Sequence, residues 1–437
     1  MPNLGSMNKR ELIEARYRLE SFVDPLLATL GRTERRRWGA LYLQGLLLEG
    51  GRKTAAGIAR SLQGDEQALQ QLLSQSPWES EPLRGELARK MMGFVSPKCG
   101  WIIGDTGFPK KGQHSVGVAR QYSGTLGKVG NCQIAVSLNY ATEDACFPLD
   151  FSLYLPTEWL EDGERRKRAG VPGDAVFRRK WELALDMIDR AVAWGVSGGV
   201  VVADAGYGVA TGFRCQLRQR CLSYVVGIQP ETGFWLEEVQ HSKPSYQGRG
   251  RPRTRPRELP EPESAQSIAG RLEASNWCEV IWRQGSKGPL SSRFMAIKAQ
   301  PSHGHPHGKI VEPLGWLLAE WPYDEDVPKK FWVSNLAEDV SLRDLVYWAK
   351  LRWWVEQNYQ QLKDQLGLDH FEGRTWSGWH HHVTLTMMAF DFLVLETLRA
   401  KNNYWVDPAQ SAPRDCQASG DSVFELLPDV LASIPAK

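Results

Sequence analysis

Apolar residues at helical spacing dominate the first part of the chain. ELIEARYRLESFVDPLLATL and RRWGALYLQGLLLE carry them every three or four positions, the pattern of helices with one buried face. Gly50 and Gly51 break this pattern before KTAAGIARSLQ and EQALQQLLSQ, two shorter segments that meet at Gly64 and Asp65. Such a pair is compatible with a helix-turn-helix and equally with two members of a plain helical bundle. Near Ser96 the pattern turns strand-like. GWIIGD is a short apolar run ending at Asp105, and NCQIAVSLNYA and CFPLDFSLYLP are rich in β-branched and aromatic residues. A helix is expected from about Phe177 to Trp194, then a buried strand in SGGVVVADAGYG that ends at Asp204 and a glycine turn. ATGFRCQLRQRCL reads as helix and SYVVGIQP as strand, which completes an α/β core built on a mixed sheet.

Residues 230–335 interrupt that order. They open on RGRPRTRPRELPEPESAQ, a Pro/Arg/Glu-rich stretch expected to be mobile. CEVIWRQ and SRFMAIKAQ then alternate as paired strands, and KKFWVSNL adds a further strand, so a β-rich insertion is expected. A long helix follows from about Leu342 to Leu366 and another from about His382 to Arg399. The predicted organisation is a helical N-terminal domain at 1–95, the first part of the core at 96–229, the insertion at 230–335, the C-terminal helices of the core at 336–401 and a tail at 402–437. That tail is polar, with a short helix expected near Leu426 to Ser433.

Composition narrows the class. With 437 residues, 42% apolar and 24% charged, the chain is a soluble globular protein of more than one unit. No apolar run approaches the roughly 18 residues of a membrane helix. The opening residues lack a secretory segment, so a cytoplasmic location is expected. Seven cysteines without a C-x-x-C pair argue against a disulfide frame or a zinc finger. HGHPHG at 303–308 lacks a cysteine or carboxylate to complete a metal site.

A net charge of +2 does not announce nucleic acid, but its distribution changes the picture. Basic clusters lie at Arg32–Arg37, Arg165–Arg168, Arg178–Lys180 and Arg249–Arg257. Each is open to two readings, a solvated face or a DNA contact. On the second, Arg35, Arg36, Arg37 and Lys53 would serve the N-terminal domain, and Lys110 and Lys111 would flank the first aspartate. Arg251 and Arg253 would enter a minor groove on a flexible arm. Most of the eighteen tryptophans belong to cores, while a groove would let some stack on bases.

Candidate chemistry rests on carboxylates. Asp105 in GDTG and Asp204 in ADAGYG end apolar strands, where rigid backbone can aim a side chain into a crevice. One such aspartate is commonly a turn former; two in a chain with basic clusters suggest catalysis. On LRWWVEQNYQQLKDQLG, taken as one helix, Arg352, Glu356 and Lys363 fall within roughly 40° of one another. An ion pair between Arg352 and Glu356 explains part of this stripe, but not why Trp348 and Tyr359 share it. Asp105, Asp204 and Glu356 suit Mg²⁺ in two-metal phosphoryl transfer, with Arg352 and Lys363 on phosphates. Consecutive His380, His381 and His382 point different ways and cannot share one ion; contacts to backbone or phosphate remain, with His381 carried as a DNA candidate.

GDTGFPKKGQHSVGVARQYSGTLGKVGNCQ, LYLPTEWLEDGERRKRAGVP, ADAGYG and LRWWVEQNYQQLKDQLGLDHFEGRTWSGWHHH together resemble bacterial insertion-sequence transposases of the DDE class, most closely the insertion sequence 701 family. The resemblance implies an RNase H-like catalytic core with Asp105, Asp204 and Glu356 as catalytic metal ligands for Mg²⁺ or Mn²⁺. It implies double-stranded DNA as partner, both terminal inverted repeats and target, a homodimer on that DNA, and a nucleoid-associated place in a bacterial cytoplasm. Ends would be cut and 3′-ends joined to target. Arg352, Glu356 and Lys363 match the spacing of the family's Tyr, Arg, Glu, Lys signature, but Ala349 stands at the tyrosine position. Trp348 and Tyr347 are the two candidate substitutes, and helical phase favours Trp348. A catalytically inactive transposase-derived DNA-binding protein and an RNase H-fold nuclease without strand transfer stay open. A small-molecule phosphatase would need neither the basic arm nor the helical N-terminal region.

Overall fold

The computed structural model describes residues 9–94, 96, 98–239, 248, 259–285, 288–302 and 311–402. Arg251, Arg253, HGHPHG and the expected helix in the tail lie outside the described residues. Five helices come first: α1 (Lys9–Leu27), α2 (Thr33–Leu47), α3 (Ala55–Leu62), α4 (Glu66–Ser74) and α5 (Ser80–Met92). Strands β1 (Gly100–Pro109), β2 (Ala119–Ser123), β3 (Lys128–Ala141) and β4 (Cys146–Leu153) follow. After them come α6 (Thr157–Glu161), α7 (Gly163–Ala169), α8 (Lys180–Ala193), β5 (Val200–Ala203), α9 (Ala205–Gly208), α10 (Thr211–Gln219) and β6 (Tyr224–Ile228). The next stretch holds β7 (Gly233–Trp235), β8 (Glu263–Ser264), α11 (Ala265–Gly270), β9 (Cys278–Gly285), β10 (Gly288–Pro301), β11 (Gly315–Trp321) and β12 (Lys330–Ser334). Helices α12 (Leu342–Leu351), α13 (Trp353–Asp364) and α14 (Trp376–Asn402) complete the described chain.

The chain forms two compact units. Unit 1 comprises Met1–Cys99, Gly104–Ser197 and Trp354–Lys437, and unit 2 comprises Gly100–Ile103 with Gly198–Trp353. In unit 1 the organising element is α14. From Val383 to Leu395 its residues are buried almost without exception, so this is a core helix, covered on all sides, rather than an amphipathic one. Helices α1, α2, α4 and α5 pack on it. The N-terminal helices therefore share a core with the C-terminal helix, and the boundary expected near residue 95 does not separate two bodies. Asp65 caps α4 by accepting from Gln67 N and Ala68 N, which sets the turn from α3. The exposed face of α4 presents Glu66, Gln67, Gln70 and Gln71, without a cation, which fits the bundle reading better than a recognition helix. In the sheet of unit 1, β3 pairs antiparallel with β2 along Lys128–Cys132 and with β4 along Ala135–Ala141, and α8 covers β3 and β4.

In unit 2, β5 runs parallel to Gly100–Ile102 of β1 and to β6. The strands expected as an insertion continue that sheet: β12 pairs antiparallel with β6, β11 with β12, and β10 with β11, β9 and β7. The described helices and strands thus form an α/β protein with a mixed sheet. The single helix expected over Leu342–Leu366 is interrupted. Arg352 keeps helical dihedrals (φ −59, ψ −20) but falls between α12 and α13, so one helical phase cannot be carried from Trp348 to Glu356.

Asp391 on α14 is buried, and neither carboxyl oxygen has a hydrogen-bond partner among the described residues. Burial holds its pKa well above the ordinary carboxylate value. A folded pKa above the unfolded one, about 3.9, gives stability that is full below that value and declines as pH rises through the folded pKa. Asp391→Asn removes the ionisation. We expect it to raise the thermal midpoint at pH 7 relative to its effect at pH 4 by roughly 2–4 °C, the shift of about 1 kcal/mol in a large unit. Equal effects at both pH values would show that the carboxyl is not buried as described.

Candidate active site

In unit 1, α13 lies along the end of β1. A Cβ at Gly104 would come within 2.8 Å of Tyr359 Oη and 3.4 Å of Val355 Cγ2, so only glycine lets the helix this close. Tyr359 Oη bonds Ser137 Oγ on β3 at 2.6 Å. Lys363 Nζ donates to Gly107 O at 2.9 Å and Thr125 Oγ1 at 3.2 Å. These contacts set the turn bearing Glu356, whose side chain is exposed, beside the stretch of β1 that bears Asp105. Asp105 itself pairs with Lys180, the first residue of α8. Burial lowers the Lys363 pKa against the opposing pull of Asp369, Asp364 and Glu356.

In unit 2, Asp204 follows β5 and caps α9, accepting from Gly206 N at 2.9 Å. Its other oxygen, Oδ2, accepts from Arg352 Nη2 at 3.0 Å. The turn sits tightly on β6, because a Cβ at Gly208 would lie 1.8 Å from Gly227 O. Glycines on both sides of that contact fix where Asp204 points.

Several residues expected at DNA are committed inside the protein. His381 is buried, its ring nitrogens bonded to Leu73 O at 2.6 Å and Trp78 O at 2.7 Å, and its ring stacked on Trp78. Burial lowers its pKa. Trp348 is buried against Gly100, and Tyr359 is held by Ser137, so packing replaces base stacking as the reading for both. Lys53 is buried with its ammonium on Leu48 O, and burial pulls its pKa down to about 8. Lys110 donates to Phe371 O at 2.6 Å. Lys111, Arg36 and Arg37 are exposed; Arg35 is half-buried. Lys180 was visible in the sequence only as one member of a basic cluster.

Asp105 and Glu356 in unit 1 and Asp204 in unit 2 each offer only oxygen, the donor a hard divalent cation takes. Both aspartates already face a cation, Lys180 on Asp105 and Arg352 on Asp204, where a metal's positive charge would be favoured. No group of three His, Cys, Asp or Glu side chains close enough to hold one ion occurs among the described residues.

An acid at mid-strand in β1 and another just past β5, in an α/β chain with a mixed sheet, suit an endonuclease of the DDE type. The chain belongs to that family: the DDE superfamily endonuclease model matches residues 25–289, more than half of its length. The match includes Asp105 and Asp204 and stops before Glu356. The chain is also 27% identical, over 323 residues, to a protein of Microchaete diplosiphon described as a probable transposase for insertion sequence element IS701. That similarity covers 73% of this chain and 72% of the relative. The resemblance read from the motifs therefore holds. Among the described residues no helix is long and apolar enough to cross a membrane.

Proposed function

We propose that the chain is a DNA transposase of the insertion sequence 701 type. On this reading its RNase H-like core binds terminal inverted repeats of double-stranded DNA, cuts element ends and joins the 3′-ends to target DNA. The observation that carries it is α13 seated along β1, which sets Glu356 beside the strand of Asp105 in a chain of the DDE family. Asp105, Asp204 and Glu356 are assigned as the ligands of Mg²⁺ or Mn²⁺. When bound, such ions supply charge stabilisation to the attacking and leaving oxygens of in-line phosphoryl transfer.

The chain's own side chains do the rest. Arg352 holds Asp204 in orientation through a guanidinium nitrogen, and its charge beside that carboxylate suits a phosphate at the cut. Lys363 fixes the end of α13 to β1 and so sets the height of Glu356. Two copies acting as a homodimer would hold the paired ends, in the nucleoid of a bacterial cytoplasm.

The deciding experiment incubates an uncleaved end, and in parallel a precleaved one, with target plasmid and Mg²⁺, and reads binding by mobility shift. Joined product is expected. Cut product without joining would make the chain a nuclease of the same fold, and binding without either would make it a catalytically inactive DNA-binding derivative. Arg352→Ala is expected to slow first-strand nicking roughly 10–100-fold, the range for partners that orient a metal ligand. End binding should stay near wild type, since many other phosphate contacts remain. Wild-type nicking by this variant would reduce Arg352 to a surface ion pair.

A further inference from the structure

The cation on Asp105 comes from a basic cluster that the proposed reaction leaves unused, Arg178–Lys180. These residues open α8, with Arg179 at its N-cap and Lys180 as its first residue. Successive cations there oppose the positive end of the helix dipole, where acids are favoured. Glu182 relieves part of this by accepting from Arg179 N at 2.6 Å, and Arg178 lies 3.8 Å from Asp186. Lys180 turns instead to β1 and pairs with Asp105. The pair is reachable from solvent, with 35% of the lysine and 27% of the aspartate side chain exposed.

We propose that Lys180 is the internal counter-ion of Asp105, holding it until a divalent metal arrives and then passing to a DNA phosphate beside the cut. The inference rests on Asp105 being a metal ligand, as proposed above. A divalent ion on Asp105 would repel the ammonium twice as strongly as a second unit charge at the same separation, so the two compete for one carboxylate. Lysine suits an exchange of this kind. Its charge is compact, sits on a flexible four-carbon stem and makes contacts that are readily remade, unlike a guanidinium fork. Once displaced, the ammonium finds its next strong anionic acceptor in the DNA backbone. Metal and DNA then favour each other's binding, because DNA accepts the cation that the metal expels.

The test measures Mn²⁺ binding to the full chain without DNA, by the loss of the free-ion paramagnetic resonance signal. Lys180→Met is expected to bind Mn²⁺ about tenfold more tightly, since its competitor is gone, and to cut ends at least about tenfold more slowly at saturating Mg²⁺. Lys180→Arg, which keeps the pair, should bind Mn²⁺ no more tightly than wild type. A lysine that merely anchored α8 could not tighten metal binding when removed. Wild-type or weaker Mn²⁺ affinity in Lys180→Met, with binding lost in Asp105→Asn, would overturn the inference and leave Asp105 standing as a ligand. Wild-type Mn²⁺ binding in Asp105→Asn would overturn both.

Discussion

Asp204→Asn is expected to lower end cleavage by at least ~10³-fold, about 4 kcal/mol of transition-state stabilisation, while end binding stays within a few-fold of wild type. The substitution is nearly isosteric. Asp204 Oδ1 caps α9 through Gly206 N, and an asparagine carbonyl can accept the same bond, so the turn on β6 should survive. What is lost is the negative charge that Arg352 faces and that a hard cation requires. Asp105→Asn and Glu356→Gln are expected to behave alike, because a carboxylate withdrawn from a metal-dependent reaction removes charge where charge develops. Binding should be steeply salt-dependent for all three variants, as phosphate contacts dictate. Labelled ends read both quantities together, a mobility shift for binding and a denaturing gel for nicking. Cleavage within tenfold of wild type in any of the three would remove that residue from the proposed site.

Much of this was legible in the sequence because its signals are local. GWIIGD and SGGVVVADAGYG announce strands by composition; β5 stops just before Asp204 as expected, but β1 runs on to Pro109, so Asp105 stands at mid-strand rather than at its end. The α-helical pattern of the first part is likewise observed in α1 to α5. Periodicity could not say what those helices cover. That depends on α14, more than three hundred residues on, where Tyr42 Oη meets His382 Nδ1 across a separation of 340. Nor could it see the interruption at Arg352, since every residue around it is a fair helix former and the dihedrals stay helical. The strands at 278–334 alternate clearly enough to be found, but pairing is set by long-range register, so their continuity with β6 was not visible. His381, Trp348 and Tyr359 carried chemistry suited to DNA. Their burial follows from neighbours on other elements, which no helical wheel contains.

The largest effect on stability is expected from Arg84→Met. Asp150 on β4 is fully buried and takes bonds from Arg84 Nη1 at 2.7 Å, Arg190 Nε at 2.8 Å and Phe151 N at 2.8 Å. Arg84 also donates to Thr384 Oγ1 at 2.7 Å and Phe151 O at 2.8 Å, so one guanidinium joins α5, β4 and α14. Removing one partner of a buried pair costs about 3–5 kcal/mol, because the partner's charge stays desolvated. Arg190 remains on Asp150 and holds the cost toward the lower end, while the orphaned Thr384 hydroxyl and Phe151 carbonyl raise it. The thermal midpoint should fall on the order of 10 °C. Arg89→Met on the same helix is the control, since Arg89 forms an exposed pair with Glu86 and surface pairs contribute about 0–1 kcal/mol. Because α5 and α14 share this network, the loss should appear as one cooperative transition of unit 1 rather than early melting of the N-terminal helices. Hydrogen exchange separates the two: protection should fall together in α5, β4 and α14. Loss confined to α1–α5, with α14 still protected, would return the N-terminal helices to the status of an independent body.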